Sequence, residues 1–505
     1  MSIFLLSFIF FTLSRLGATS QLGPLFLDGD VLPQGFIYGC ATSAYQIEGA
    51  WNADGKSPSI WDVFLHNKST NDVTYGATGD VADDFYHNYP TDLDLFRSAL
   101  GVTTYDFTIA WTRIMPAGRG ALNPKGLAFY RDVIRKSNAL GMSNICTLYH
   151  WDLPQTLQDE YGGWLNRKVV DDFRGYARAV FKELGNECSH WVTMNEPRTF
   201  CTEGFGPGPD SAPGVVSTFK EQYTCMHFAL LAHAAAVDEF RKGGYKGQIG
   251  IKIDGGLSLP LNASSKADQA AADRTMDFEV GRDVSPLYTG DYPPSVLASG
   301  ALPLHFSAAE KKLLKGSVDF LGLDFYTSQW VTPTAHCTPA SDSYPECTDS
   351  YQQNPVTGLD IGRPTASDWN FDTPHPTIYG GIRYVAERYN ATRILVSETG
   401  MGVLNETNFP LAQVLEDSAR ISWYRGVLAA MKQALNEGLP LVGFIPWSCI
   451  DNFEWSDGYN VRFGLINVEY NAAGQGSQKR NPKLSAAYLK GVLTHGNPIN
   501  PYNFE

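Results

Sequence analysis

Eight short runs of apolar and β-branched residues recur along the chain, near Phe36 to Thr42, Val102 to Ala110, Met142 to His150, His190 to Asn195, Gln248 to Ile253, Val318 to Tyr326, Ile394 to Glu398 and Leu441 to Trp447. They are apolar nearly throughout rather than alternating, the pattern of strands buried on both faces. Between most of them, apolar residues return three and four positions apart, over Gly126 to Leu140, Arg167 to Leu184, Thr218 to Lys242 and Gln413 to Glu437. That spacing belongs to helices with one buried face. The alternation predicts an α/β fold, a single (β/α)8 TIM barrel. No internal repeat and no Ser/Gly/Pro linker divides the chain, so its 505 residues beyond the roughly 250 such a barrel needs are assigned to long βα loops.

A barrel of this kind builds its site at the C-terminal ends of its strands, which makes the polar residues closing each run the ones to inspect. They read Ala44-Tyr45-Gln46-Ile47-Glu48, Trp111-Thr112-Arg113, Tyr149-His150-Trp151-Asp152, Thr193-Met194-Asn195-Glu196-Pro197, Leu323-Asp324-Phe325-Tyr326, Ser397-Glu398-Thr399-Gly400 and Trp447 through Trp455. Carboxylates, amides, a histidine and several tryptophans are thereby brought to one mouth.

Composition narrows the function classes. With 43% apolar and 18% charged residues and a net charge of −14, the chain is globular rather than disordered. No run of Lys or Arg is present to neutralise phosphates, so no nucleic-acid partner is expected. Residues Ile3 to Leu13 are apolar but for Ser7 and Thr12, and small residues follow at Gly17-Ala18-Thr19-Ser20. This reads as a secretory signal peptide over residues 1–20, with a buried strand or an unprocessed anchor as alternatives, leaving 21–505 as one catalytic barrel. No later segment is long and apolar enough to span a bilayer, so no membrane association is expected once the signal is removed.

Secretion gives the 8 cysteines an oxidising context. Cys337 and Cys347 share a loop rich in Thr, Ser and Pro and are expected to form a local disulfide; Cys188, Cys201 and Cys225 are expected to supply another. Cys40, Cys146 and Cys449 sit in apolar runs and are expected as buried thiols. Asn-x-Ser/Thr sequons begin at Asn67, Asn262, Asn390 and Asn405, which become glycosylation sites in a eukaryotic secretory route.

Two glutamates ending different strands, Glu196 and Glu398, are the parts needed to cleave a glycosidic bond, one protonating the leaving oxygen and the other attacking the anomeric carbon. Trp151, Trp447 and Trp455 offer flat apolar faces to a pyranose, and Gln46, His150 and Glu454 can bond its hydroxyls. Any one of these residues is explained as well by a core indole or an ion pair; the whole set at successive strand ends is what points to a site. Other chemistries find no foothold. Gly49 to Ser57 fails the phosphate-loop spacing by one residue, and there is no His-Glu-x-x-His, Gly-x-Ser-x-Gly or dinucleotide-binding glycine pattern. His150 has no neighbours at metal-ligand spacing, so neither metal nor cofactor is expected.

From about Pro33 to Val492 the sequence resembles glycoside hydrolase family 1, the β-glucosidase family. The resemblance is carried by Phe36-Ile37-Tyr38-Gly39-Cys40-Ala41-Thr42-Ser43-Ala44-Tyr45-Gln46-Ile47-Glu48-Gly49, by Thr147-Leu148-Tyr149-His150-Trp151-Asp152-Leu153-Pro154, and by Asp451-Asn452-Phe453-Glu454-Trp455 with Gly458-Tyr459 and Arg462-Phe463-Gly464. It implies a retaining mechanism, with Glu196 of Asn195-Glu196-Pro197 as acid/base, Glu398 of Ser397-Glu398-Thr399-Gly400 as nucleophile, Asn195 on the sugar 2-hydroxyl and Tyr326 as hydroxyl partner of the nucleophile. It also implies that Gln46, His150, Trp151, Trp447 and Glu454 grip the non-reducing sugar and that Trp369 forms an aromatic platform for the aglycone. Glu454 would repel a 6-phosphate, which favours an unphosphorylated β-glucoside, small-molecule or oligosaccharide.

Three positions depart from the family pattern: Asp106 where an Arg supports the nucleophile, Asp324 where an Asn is usual, and Thr399 after the nucleophile. If Asp106 and Asp324 both approach Glu398, three carboxylates compete and at least one pKa must rise. The expectation is a secreted retaining β-glucosidase. A transglucosidase, a galacto- or fuco-preferring β-glycosidase and a non-catalytic glycoside-binding protein stay open as alternatives, as does the oligomeric state.

Overall fold

The computed structural model describes residues 32–67, 74, 76–338, 341 and 344–495; the proposed signal peptide lies outside them. Eight strands close into a parallel barrel: β1 (Ile37–Ala41), β2 (Thr104–Thr108), β3 (Ser143–Thr147), β4 (His190–Asn195), β5 (Gln248–Pro260), β6 (Phe320–Pro333), β7 (Ile394–Glu398) and β8 (Leu441–Phe444). Neighbours in sequence pair around the ring, and closure is made by β8 beside β1, with Ile37 opposite Gly443. All eight expected runs are strands. β5 and β6 continue past the barrel rim for a further pair of turns of pleat, Leu257 to Pro260 against Ser328 to Val331, and a short strand, Thr348–Tyr351, adds antiparallel to the end of β6.

Helices pack outside the strands. α1 (Pro124–Ala139) starts where the Asn123 side chain accepts from Lys125 N and Pro124 presets the first turn. α2 (Lys168–Leu184) buries Val169, Phe173, Tyr176, Val180 and Leu184 at helical spacing. α3 (Phe219–Gly243) opens on a reciprocal cap between Thr218 and Glu221 and ends at Gly244 with φ 65°. α4 (Pro374–Tyr389), α5 (Ser418–Asn436) and α6 (Leu484–His495) complete the outer layer on the β6 to β8 side. Among the described residues no helix is long and apolar enough to cross a membrane.

The single helix expected over Gln413 to Glu437 is two, Leu411–Glu416 and α5, separated by Asp417 with φ 49°. Tertiary charge overrides the helical pattern there. The buried Asp417 carboxylate is gripped by Arg420 and Ser485, and Arg420 also reaches Glu406 and the carbonyls of Met401 and Arg462. Lys483 Nζ closes the network onto Glu406 Oε1 at 2.7 Å and Asp451 Oδ1 at 2.9 Å. The loops after β7 and β8 are thereby anchored to the helical layer.

The cysteines pair as Cys337–Cys347, Cys201–Cys225, Cys146–Cys188 and Cys40–Cys449. The first two meet the expectation; Cys40, Cys146 and Cys449 are not thiols. Cys146 and Cys188 are joined because β3 and β4 are neighbours, and Cys40 and Cys449, 409 residues apart, because barrel closure sets β1 beside β8. Spacing along the chain shows neither. All four sequon asparagines are exposed.

The barrel interior is layered. Ile145, Val192, Phe320 and Leu395, from β3, β4, β6 and β7, with Ile445 just past the end of β8, form an apolar plug separate from the larger core between strands and helices. A buried polar layer of Asp106, Asn195, Lys252, Asp324 and Glu398 is supplied by β2, β4, β5, β6 and β7.

Candidate active site

β4 leaves the barrel through a bulge between Val192 and Asn195. Glu196 then takes a left-handed conformation, φ 50° and ψ 66°, before Pro197 starts a short helix. A non-glycine residue held there stores strain of about 1–3 kcal/mol, and the bond from Glu196 N to Lys252 O at 3.1 Å fixes the turn to β5. Trp151 and Trp455 also have positive φ, 73° and 48°, so three residues of one mouth carry this strain.

Glu398 ends β7 beside a second bulge. Its Oε1 faces Lys252 Nζ at 3.1 Å, and its Oε2 accepts from Tyr326 OH at 3.3 Å. The Asn195 amide, oriented to satisfy both its oxygen and its nitrogen, donates to Glu398 Oε1 and Asp324 Oδ2 at 3.1 Å each. Asp324 Oδ1 accepts from Ser397 Oγ at 2.5 Å. One oxygen from each of Glu196, Asp324 and Glu398 lies within 4.8 Å of the others. A cation could share those oxygens, yet Glu398 Oε1 already has two donors.

The two glutamates sit in opposite surroundings. Burial, then the carboxylates of Asp254, Asp324 and Glu398, push the Glu196 pKa well above the ordinary range, which favours the protonated acid. Burial and Asp106 raise Glu398 too, but less, because Lys252 and the Tyr326 hydroxyl act against them, so of the two Glu398 is the more readily ionised, where three donors converge.

These residues line a cavity of about 420 Å³ together with His150, Trp151, Trp369, Trp447, Glu454, Trp455 and Phe463. Trp151 and Trp455 stand with ring centroids 4.5 Å apart. Burial pulls the His150 pKa well down, so the ring is neutral, and its Nδ1 has no partner among the described residues. Glu454 Oε2 accepts from Trp447 Nε1 and Gln46 Nε2 at 3.4 Å each. Gln46 does not line the cavity: it is fully buried, bonded to Phe453 O and Asn452 Oδ1, and supports Glu454 from behind. Trp369, 44% exposed, lies at the rim, stacked near Phe463 and edge-on to Tyr326.

Other strand-end residues take structural parts. Glu48 pairs with Arg113 at 2.9 Å and accepts from Tyr130 OH at 2.7 Å, away from the cavity. Several lining residues were not foreseen. Arg198 Nη2 pairs with Asp254 Oδ2 at 2.5 Å, and burial raises Glu203 and Glu279 to about 7. Lys252 was missed as well, although a lone lysine inside the apolar run Gln248 to Ile253 is a signal that a buried anion faces it. It also answers the expected competition among carboxylates: Nζ stands 3.1 Å from Asp106 Oδ2, so Asp106 meets a cation where like charges alone were foreseen.

The family model for glycosyl hydrolase family 1 matches residues 29–497. A β-glucosidase 4 of Oryza sativa is 39% identical over 478 residues, covering 91% of this chain and 94% of the relative. The raucaffricine-O-β-D-glucosidase of Rauvolfia serpentina is 38% identical, covering 90% of each. Among solved structures, a rice β-glucosidase variant in covalent complex with Glc superposes with a TM-score of 0.86 at 35% identity, covering 91% of this chain and 98% of that one. A β-glucosidase of the fungus Humicola insolens in complex with glucose gives the same TM-score, 0.86, at 35% identity, with 92% and 98% covered. A closed barrel, two carboxylates in one cavity and a match over nearly the whole length agree: the chain belongs to glycosyl hydrolase family 1 and is a retaining O-glycosidase.

Proposed function

We propose that the protein is a secreted β-glucosidase that releases terminal non-reducing β-D-glucosyl residues by double displacement, with Glu398 as nucleophile and Glu196 as general acid/base. The observation that carries the assignment is the approach of the two glutamates, with carboxylate oxygens within 4.8 Å. Retaining pairs stand about 5–5.5 Å apart, whereas inverting pairs leave about 6.5–9.5 Å for a water.

In the first step a Glu398 oxygen forms a bond to the anomeric carbon as the glycosidic bond breaks, and the Glu196 proton goes to the departing oxygen. The aglycone leaves as an alcohol. In the second step Glu196, now ionised, takes a proton from water, whose oxygen attacks the same carbon and releases Glu398 as carboxylate. Asn195 stands where it can bond the 2-hydroxyl, and Glu454, His150 and Trp447 form the wall for the remaining hydroxyls and the apolar ring face. The rice and Humicola relatives solved with Glc or glucose support a glucosyl unit in this wall.

Proton NMR of fresh aryl β-D-glucoside hydrolysis tests the reading. β-Glucose is expected before mutarotation, and a 2-deoxy-2-fluoro glucoside is expected to label Glu398. Early α-glucose, or label on another residue, overturns it.

A further inference from the structure

The polar layer of the barrel holds one cation among several acids. Lys252 is fully buried on β5, and its Nζ lies 3.1 Å from both Asp106 Oδ2 on β2 and Glu398 Oε1 on β7. Strands β2 and β5 are not neighbours in the ring, so the ammonium bridges the barrel interior. Its stem has a prepared passage. Gly322 on β6 pairs with Lys252, and a Cβ there would stand 2.9 Å from Lys252 Cγ and 2.5 Å from Ser397 Oγ.

We propose that Lys252 is a positioning residue for the hydrolytic reaction, holding Glu398 in place and charge-balanced, with Asp106 as the counter-ion that fixes it. The inference rests on the reading of Glu398 as nucleophile. A buried ammonium with one acid on each side costs less than either acid alone in this interior, and removing it strands two buried carboxylates. Burial pulls the Lys252 pKa down, but Asp106, Glu398 and Asp324 outweigh burial and hold it above the ordinary lysine value; the cation is permanent across the working range. The other groups that face the pair are Asp324 and Tyr326 from β6, Glu196 beyond β4, neutral His150 beyond β3 and Glu454 beyond β8. None of these is cationic, so no second group substitutes for Lys252.

The sign follows directly. Lys252 lowers the Glu398 pKa against burial, and turnover requires Glu398 ionised. Loss of the ammonium therefore raises that pKa and moves the acid limb of kcat/KM to higher pH. The charge-free pair D106N/K252M avoids leaving Asp106 buried without a partner; it also removes the Asp106 anion, which raises Glu398, but Lys252 is the larger influence, so the limb is expected to rise by about one pH unit and kcat/KM on the acid side to fall about tenfold. Because Asp106 and Glu398 approach the same point in space, a guanidinium offered from β2 can replace the ammonium: since the Asp106 anion that raises Glu398 is lost as well, D106R/K252A is expected to bring the limb back to the wild-type position or below it. A folded D106N/K252M enzyme with an unmoved limb overturns the proposal. If that pair does not fold, the exchanged pair decides, since a limb displaced to higher pH in D106R/K252A overturns the proposal and one at or below the wild-type position supports it. Labelling of the wild-type enzyme by the fluoro glucoside reads the underlying assignment separately: label away from Glu398 removes the nucleophile reading, whatever the limbs do.

Discussion

Asn195 joins two acids of the site, its amide nitrogen 3.1 Å from Glu398 Oε1 and 3.1 Å from Asp324 Oδ2. Ser397 Oγ donates to the other Asp324 oxygen, so both oxygens of Asp324 accept, yet burial and the neighbouring Glu398 carboxylate outweigh Lys252 and Ser397 and hold the Asp324 pKa well above the ordinary range. Once ionised, toward the basic side of the profile, it raises the pKa of Glu196. Substitution D324N removes that charge, so the proton-donating form of Glu196 is lost at lower pH. The basic limb of kcat/KM is expected to move down by about one pH unit, read from a pH profile with an aryl glucoside; a limb that stays in place contradicts the coupling.

At the rim, Trp369 stacks near Phe463 and leaves much of its indole to solvent. If it supports the aglycone, W369A costs about 1 kcal/mol of aromatic contact, a loss of about fivefold in kcat/KM for aryl glucosides. An alkyl glucoside with a small leaving alcohol should lose much less. Equal losses on both substrates would place the contact elsewhere.

Cys40 and Cys449 tie the first strand to the segment after the last. Cross-links of this span stabilise by about 2–5 kcal/mol, so the C40A/C449A variant is expected to melt at a lower temperature while retaining activity in the cold. The described chain contains no free cysteine. Alkylation of the denatured, unreduced protein should therefore modify none of them, and any alkylated Cys40 or Cys449 refutes the pairing.

Lys483 neutralises Glu406 and Asp451 in a fully buried setting. Removing one partner of such a group leaves a buried charge unpaired and costs about 3–5 kcal/mol, so K483M should lower the thermal midpoint at a fixed scan rate. The pH dependence has a definite sign. Glu406 is buried, yet Arg420 and Lys483 outweigh burial and hold its pKa near about 2, below its unfolded value. Its contribution is full above the unfolded carboxylate pKa and is lost as pH falls through about 2. In K483M the folded pKa of Glu406 moves up toward its unfolded value, so the acid-side loss should be smaller and complete at higher pH.

The strands were legible because burial on both faces leaves a run of apolar residues, and the site because polar residues closed those runs. Lys252 shows the limit. It was visible as one charge in an apolar strand, but its meaning depends on Asp106, 146 residues before it, and Glu398, 146 residues after it, and only the closed ring brings all three together. The same is true of Cys40 with Cys449. The break at Asp417 was hidden because the local pattern is helical on both sides.

β5 places Lys252 and Asp254 two residues apart, on one face of a pleated strand. One offers a cation to Glu398 and the other an anion to Glu196, so two residues of one strand, a single position between them, set opposite biases on the two glutamates. The pairing of Lys252 with Gly322 and of Asp254 with Asp324 is therefore a condition of chemistry as well as of folding. A slip of one position along β6 would turn both charges out of the barrel together, and the division of labour between donor and attacker would vanish with neither glutamate touched.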